Sequence, residues 1–587
     1  MIRSLTLSLL LLASAAHAQA LTHMRVDSAG AGAIGTRLLS EGYDVLEGSH
    51  AENGFEIILS DEEIETLTLQ GIELELIAVG RPFNEIQSEL DVPVGYLDLQ
   101  GVLDSMMQTA ANFPNIAQVV DLTAKYGLPT TVEGRHIYAM KISDNVTLEE
   151  DEPTALLVSA HHCREIVTPV IALRGIDRLT TQYGIDSDVT NTVDNNEVWI
   201  VPVWNVDGYN EVFVGNNLWR KNRRVFPGGT GVDLNRNYPF GWTSGCSGST
   251  VVTSQTYKGP SAASEVETQT MIAFGSDRRF SRVVDLHSFG REVLYGYLCA
   301  MHPLTNYWLN QATSLSIGAG YAGSIRPPTA EGEHYQWQIA RGALSFLIET
   351  HQSFQPTFAS AEAEAAQVWP GIQTLFNAPI PLTGNVHDLC TNDPVPSSLS
   401  ISTVVQPNGE RIGAGGPFAR FDYFLPDGNT DLSLSNGGFT TTVVNTTITN
   451  GSTTDEQVVL AANAQLANSG TMQIGTTVQF DFDSLSDKGR TYACVMSATG
   501  TSPGIPINNC SLPINLDSTT LLPLNSPAVF NNFLGTLDAS GQATSTFDIP
   551  NSVDIIGIDL DFAYFTIDMV SGLAIHVSNA AHVQIQP

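Results

Sequence analysis

Lysine is nearly missing from this sequence. Lys125, Lys141, Lys221, Lys258 and Lys488 are the whole supply in 587 residues. Lys and Arg together number 26 against 61 Asp and Glu, a formal net charge of −35. A surface this negative repels phosphate backbones and anionic headgroups, which argues against nucleic acid as a partner. Such acidity alone reads as solubility in external or salty water, not as a function. Long apolar runs are lacking too. Beyond the first twenty residues nothing approaches the roughly 18 consecutive apolar residues of a membrane span, so no membrane insertion is expected. Charged residues at 15% and hydrophobic residues at 42% also exclude a disordered polymer and a coiled coil.

What is present begins at the N-terminus. Arg3 precedes a leucine-rich run from Leu5 to Ala13, followed by Ala16-His17-Ala18. A short n-region, an apolar h-region and an A-x-A site predict a signal peptide over residues 1–18, cut after Ala18, and hence a secreted chain. Export makes the six cysteines (163, 246, 299, 390, 494 and 510) candidates for disulfides. Cys494 with Cys510, close together in a strand-rich region, is the favoured pair, and Cys246 with Cys299 the second.

At roughly 150 residues per domain the length suggests about three to four units. Residues 19–85 alternate strand-like pieces (Thr22–Asp27, Tyr43–Leu46, Phe55–Leu59) with a helix opening at Ser60-Asp61-Glu62-Glu63, a capping box by spacing. They read as a small α+β unit, either a prodomain or a permanent N-terminal domain. Residues 86–95 read as a linker. From 96 to 378 apolar runs at Ile137–Ile142, Ala155–Ser159, Val198–Val203, Val283–Leu286 and Ala343–Ile348 alternate with amphipathic stretches such as Leu103–Asn112 and Pro169–Leu179. That alternation predicts an α/β domain around a buried mixed sheet, closed by a helix over Ala361–Phe376. Residues 379–397 read as a second linker. Residues 398–587, rich in Ser, Thr, Asn, Gly and Asp with short alternating strands, predict one or two β-sandwiches. A polar turn there, Asp427–Asp431, is a candidate structural Ca2+ site set against an ordinary solvated turn.

The chemistry concentrates in the α/β segment. The strand Ala155–Ser159 runs into His161-His162-Cys163-Arg164-Glu165. An imidazole and a carboxylate three apart at a strand's C-terminal end can reach one metal ion, and zinc takes N and O donors with a fourth position open to water. His161 is the rival first ligand, but the spacing to Glu165 favours His162. A second apolar strand, Val283-Val284-Asp285-Leu286-His287, offers His287 as third ligand. A third ends in Glu349, a candidate base for metal-bound water. Between them Arg220, Lys221, Arg223, Arg224 and Arg236 form a basic cluster in an acidic chain, suited to carboxylates and oxyanions.

In order and rough spacing these residues resemble the zinc metallocarboxypeptidases of the carboxypeptidase A/B type. The likeness rests on His162-Cys163-Arg164-Glu165, Trp219-Arg220-Lys221, Gly231-Val232-Asp233-Leu234-Asn235-Arg236-Asn237, His287-Ser288 and Glu349, with Pro202–Gly208 and Tyr257–Ala262 as further matches. It implies a three-layer α/β/α carboxypeptidase-like domain over 96–378 with one Zn2+ held by His162, Glu165 and His287. It also implies Glu349 as general base, Arg220 as oxyanion partner, Asn235 and Arg236 as the clamp on a free C-terminal carboxylate, and Arg164 as an auxiliary cation. The expected partners are peptides or proteins with a free C-terminus, met by a monomer. The family's capping tyrosine is absent: its position falls near Arg326. Glu333 falls near the position that sets side-chain preference, where an acid favours Lys or Arg. Alternative readings are a related zinc hydrolase acting on cell-wall peptides or amides, and a non-catalytic surface-binding protein.

Overall fold

Strands buried on both faces build the centre of the α/β region, and the strand ends carry the candidate residues. The computed structural model describes residues 21–46, 53–89, 95–449 and 451–587. The expected signal peptide lies outside the described residues. The described chain divides into two units, one running to Ala378 and one from Pro379.

The first unit opens with β1 (Leu21–Asp27), α1 (Ala31–Ser40), β2 (Asp44–Val45), β3 (Gly54–Ser60), α2 (Asp61–Leu69) and β4 (Glu75–Val79). They form an antiparallel sheet in the order β2-β3-β1-β4 over a small core including Phe55, Ile57 and Leu59. The capping box is real: Ser60 N–H donates to Glu63 at 2.9 Å, and the Ser60 hydroxyl accepts from Glu63 N–H at 3.4 Å. Helix α3 (Phe83–Glu89) occupies the first part of the stretch expected to be a linker.

The larger part follows as α4 (Leu99–Asn112), β5 (Ala117–Asp121), α5 (Leu122–Lys125), β6 (Tyr138–Ile142), β7 (Thr154–Ser159), α6 (Val167–Thr181), α7 (Ser187–Asp194), β8 (Glu197–Val201) and α8 (Val206–Val214). A short hairpin, β9 (Val225–Phe226) and β10 (Gly229–Thr230), precedes α9 (Val266–Arg278) and β11 (Arg282–Ser288). Then come β12 (Glu292–Leu294), α10 (Thr305–Gly318), β13 (Ile325–Arg326), α11 (His334–Ile339), β14 (Leu344–Thr350) and α12 (Phe358–Asn377). The eight-stranded sheet runs β13-β12-β14-β11-β7-β8-β6-β5 and is mixed, with a parallel centre β14-β11-β7-β8. All seven residues of β11 are buried, as a parallel strand covered on both faces requires.

The second unit is all β, with four main sheets, two drawn from residues 382–460 and two from 465–584. The expected linker at 379–397 is corrected here. Leu382–Asp388 is a buried strand, parallel to Thr454–Leu460 and antiparallel to Arg420–Tyr423. The expected Cys494–Cys510 disulfide is also corrected. Cys494 is a free thiol in an aromatic core with Phe482, Tyr492 and Phe562, while Cys510 bonds to Cys390, 120 residues away. The second expected pair, Cys246–Cys299, is present. The Ca2+ reading finds no support: Asp431 accepts from Asn445 at 2.8 Å, and no group at Asp427–Asp431 converges as a cation site among the described residues. No helix among the described residues is long and apolar enough to cross a membrane.

Candidate active site

The turn after β7 separates two adjacent histidines. Ala160 stands at φ 55°, in the left-handed region that non-glycine residues seldom adopt. Its carbonyl accepts from Asn205 N–H at 3.1 Å, and the Asn205 amide donates to the His161 carbonyl at 3.1 Å. His161 consequently points into the interior, where it meets Asp285 and Tyr238. His162 points into a cavity, as the spacing to Glu165 predicts.

Register supplies the rest. Strands β11 and β14 pair in parallel with His287 opposite Glu349, so both side chains share one face at the sheet's C-terminal edge. His162 Nδ1 lies 2.9 Å from Glu165 Oε1 and 3.1 Å from His287 Nδ1, and His287 Nδ1 lies 3.2 Å from Glu165 Oε2. Each imidazole has a carboxylate at its remote nitrogen: Asp233 lies 3.1 Å from His162 Nε2, and Asp285 lies 3.3 Å from His287 Nε2. Those acids fix the N–H at Nε2 and leave two lone pairs and a carboxylate facing one point. Two imidazole lone pairs at 3.1 Å repel unless a cation lies between them. This buried donor set, two nitrogens and an oxygen, fits zinc with a coordination position to spare.

Electrostatics agree with that arrangement at Glu165 and His162. At His287 burial would lower the imidazole, but Asp285 and Glu165 outweigh it and hold it well above its ordinary value. Burial would raise the Glu165 carboxyl, but His162 and His287 outweigh it and hold it below the usual carboxylate range. Burial, then Arg220, pushes the His162 imidazole down, toward the neutral form a metal ligand needs. Asp233 is held well below its ordinary value against burial, first by Arg220 and then by His162.

The cavity containing these groups is also lined by Arg164, Arg220, Asn235, Arg236, Glu333 and Glu349. Arg220 donates to Asp233 through Nε at 3.1 Å and a terminal nitrogen at 2.8 Å. Arg236 donates to Glu333 at 2.9 Å, and the Asn235 carboxamide accepts from His334 N–H at 2.9 Å. Two expectations need correction. Glu333 is not an acid waiting for a basic side chain: it is the buried counter-ion of Arg236 and also accepts from Gln336 at 3.3 Å. Arg326 does not line the cavity; it donates to Glu292 on the neighbouring strand at 2.7 Å.

Arg164 is engaged as well. It forms a two-point pair with Asp44 of the N-terminal sheet, one bond at 2.9 Å, and lies over the Phe354 ring. Burial would raise the Asp44 carboxyl, but Arg164, seconded by Arg220, holds it low. Leu39, Tyr43, Val45 and Leu46 join Asp44 in lining the cavity. Sequence reasoning missed Asp44 and Asp285. An acid two residues before a strand-end histidine shares its face by alternation, which was the available signal for Asp285. Asp44, 120 residues from its partner, left none.

The sequence model of the family described as "Zinc carboxypeptidase" matches residues 102–367. That stretch is a zinc carboxypeptidase domain. Curated relatives include a zinc carboxypeptidase of Saccharothrix mutabilis subsp. capreolus, 33% identical over 26% of this chain and 34% of that protein. Metallocarboxypeptidase A of Trichophyton rubrum is 34% identical over 30% of this chain and 43% of its own length. The chain thus spans less than half the length of these two relatives. Carboxypeptidase A2 of Mus musculus is 32% identical over 44% of this chain and 66% of that protein. The fold of the zinc carboxypeptidase domain is shared with the crystal structure of carboxypeptidase A from Helicoverpa armigera: TM-score 0.50, 22% identity, covering 60% of this chain and 96% of that one.

Proposed function

We propose that this chain is a secreted zinc carboxypeptidase that removes residues from the C-termini of peptides, and that its N-terminal unit holds it latent. The observation that carries the reading is one cavity holding the His162–Glu165–His287 donor set, the Glu349 carboxylate and the Asn235–Arg236 pair. Bound zinc would supply a Lewis acid and lower the pKa of a water in its open position. Arg236 and Asn235 bind the substrate's terminal carboxylate, which a buried site tolerates only when paired, so chain ends are read and chain middles rejected. Glu349, half-buried beside His287, takes a proton from the attacking water and returns it to the leaving amine. Arg220, aimed by Asp233, faces the developing oxyanion.

Because Glu333 is committed to Arg236, and Leu294, Leu347 and Phe289 line the same cavity, the reading favours neutral or apolar C-terminal residues over Lys and Arg. Two disulfides support an extracellular setting. Latency follows from Asp44, which brings an internal carboxylate to a cation expected to face substrate.

Mass spectrometry of matched peptides tests the whole reading. Stepwise C-terminal trimming that a zinc chelator abolishes is expected, with Phe released faster than Lys or Arg. Trimming that survives metal removal would overturn the mechanism, and faster release of Lys or Arg would overturn the preference.

A further inference from the structure

Strand alternation puts Asp285 on the same face of β11 as His287, beneath the zinc-facing donors and out of reach of solvent. A carboxylate with no solvent exposure must be paired. Three imidazoles meet that need. His161 Nδ1 lies 3.0 Å from Asp285 Oδ1, His287 Nε2 lies 3.3 Å from the same oxygen, and His334 Nδ1 lies 3.0 Å from Oδ2.

An ionised carboxylate only accepts, so His161 gives Asp285 its Nδ1–H, and a neutral His161 then takes the Tyr238 hydroxyl proton at Nε2, 3.0 Å away. The Gln338 amide nitrogen lies 3.0 Å from His334 Nε2 and donates there, so His334 likewise gives Asp285 its Nδ1–H. His287 Nε2 lies 3.3 Å from Asp285 Oδ1 and 3.4 Å from the Asn235 amide nitrogen; giving its N–H to the acid leaves the Nδ1 lone pair toward His162 and Glu165. The same carboxylate reaches the substrate side. His334 opens α11, its backbone N–H donates to the Asn235 carboxamide at 2.9 Å, and the preceding residue, Glu333, holds Arg236.

We propose that Asp285 is the positioning residue of this active site, a single carboxylate that fixes the metal-facing tautomer of His287 and, through His334, seats the Asn235–Arg236 clamp. The assignment rests on the zinc reading of His162, Glu165 and His287. It makes Asp285 the counterpart of Asp233: one acid behind each ligand imidazole. Asp233 touches the clamp through the Asn235 backbone N–H, which donates to it at 3.0 Å, whereas Asp285 reaches the Asn235 carboxamide through His334. His161, the unused neighbour of a ligand, then has a task. It supplies one of the three N–H groups that keep a buried negative charge satisfied.

The test is Asp285→Asn in the full chain, with zinc retention measured by competition against a chromogenic chelator. Outer partners of metal ligands are typically worth about 10- to 100-fold in metal affinity, and a loss of that size is expected with the fold intact by circular dichroism. A wild-type chain that binds no zinc overturns the zinc reading itself. A wild-type chain that binds zinc, with Asp285→Asn holding it equally tightly, overturns the assignment of Asp285 alone. If the variant does not fold, the zinc-loaded wild-type protein carries the test through long-range 1H–15N spectra of its labelled histidines. Protonated Nδ1 on His161 and His334 and protonated Nε2 on His287 are expected. Finding either of the first two protonated only at Nε2 would overturn the proposal.

Discussion

Among the described residues each unit holds a buried histidine–carboxylate cluster, and the two are built from the same residue types to opposite ends. In the first, His162 and His287 each spend one nitrogen on an acid and aim the other at a shared point beside a cavity. In the second, His576 spends both: Nε2 lies 2.7 Å from Asp388, and Nδ1 lies 2.9 Å from Asp487. No lone pair is left over, so the second cluster can hold a proton but not a metal. It links a strand of one pair of sheets to a turn of the other, close to where Cys390 bonds Cys510. Histidine near carboxylate is therefore no signature of function. The direction of the unspent lone pairs is.

The sharpest way to break this contrast is at the catalytic edge. Glu349→Gln removes the base but none of the donors facing the metal position. Its kcat is expected to fall by roughly 10²- to 10⁴-fold, the usual worth of positioned acid–base catalysis. Zinc content should stay at one ion per chain. Residual turnover near wild type would mean another group takes the proton.

His576→Ala probes the other cluster. It leaves two buried carboxylates facing an empty site, and breaking such a pair costs about 3 kcal/mol or more. The second unit should melt earlier by calorimetry while zinc binding and peptide trimming by the first stay unchanged. Loss of zinc in this variant would erase the distinction drawn between the clusters.

A smaller effect is expected at Asp44, the acid that enters the catalytic cluster from the N-terminal sheet. Asp44→Asn breaks its charge pairing with Arg164 inside an otherwise intact surface. Activity of the uncut chain should rise by about tenfold, the change that about 1.4 kcal/mol of lost docking gives. Equal activity of the uncut wild type and Asp44→Asn would remove the case for latency.

The first cluster was legible in the sequence and the second was not, for physical reasons. His162, Glu165, His287 and Glu349 stand at the ends of apolar runs, and a strand end is a place that local pattern can find. The central strands were legible on the same grounds, since burial on both faces leaves unbroken apolar stretches such as Ala155–Val158. Asp388 sits in a stretch that reads as a linker because Asp393-Pro394 follows it, yet its strand pairs with residues 454–460. Cys494 and Cys510 are near in sequence, but one belongs to a core strand and the other to a small surface hairpin. Pairings that close over a hundred residues, Asp44 with Arg164 or Cys390 with Cys510, leave no local trace. Arg326 and Glu333 were placed by counting along a chain whose loops bend the count, and both turned out to serve other side chains.

The mildest prediction concerns pH and the second cluster. Burial would lower His576, but its hydrogen bonds to Asp388 and Asp487 outweigh it and raise its pKa to about 9. A histidine raised above its ordinary value of 6.5 stabilises the fold fully below that value, and the contribution fades as pH rises through about 9. Asp388 and Asp487 are held low against burial, first by the His576 hydrogen bond, so their contribution is present above the ordinary carboxylate range and fades on acidification below it. The second unit should thus be most stable between those limits, and its melting temperature should drop by a few degrees between pH 7 and 9.5. His576→Gln, which cannot hold the proton, should flatten that alkaline limb. If the variant keeps the wild-type slope, the proton is held elsewhere, and His576 is an ordinary buried side chain rather than the lock between the two pairs of sheets.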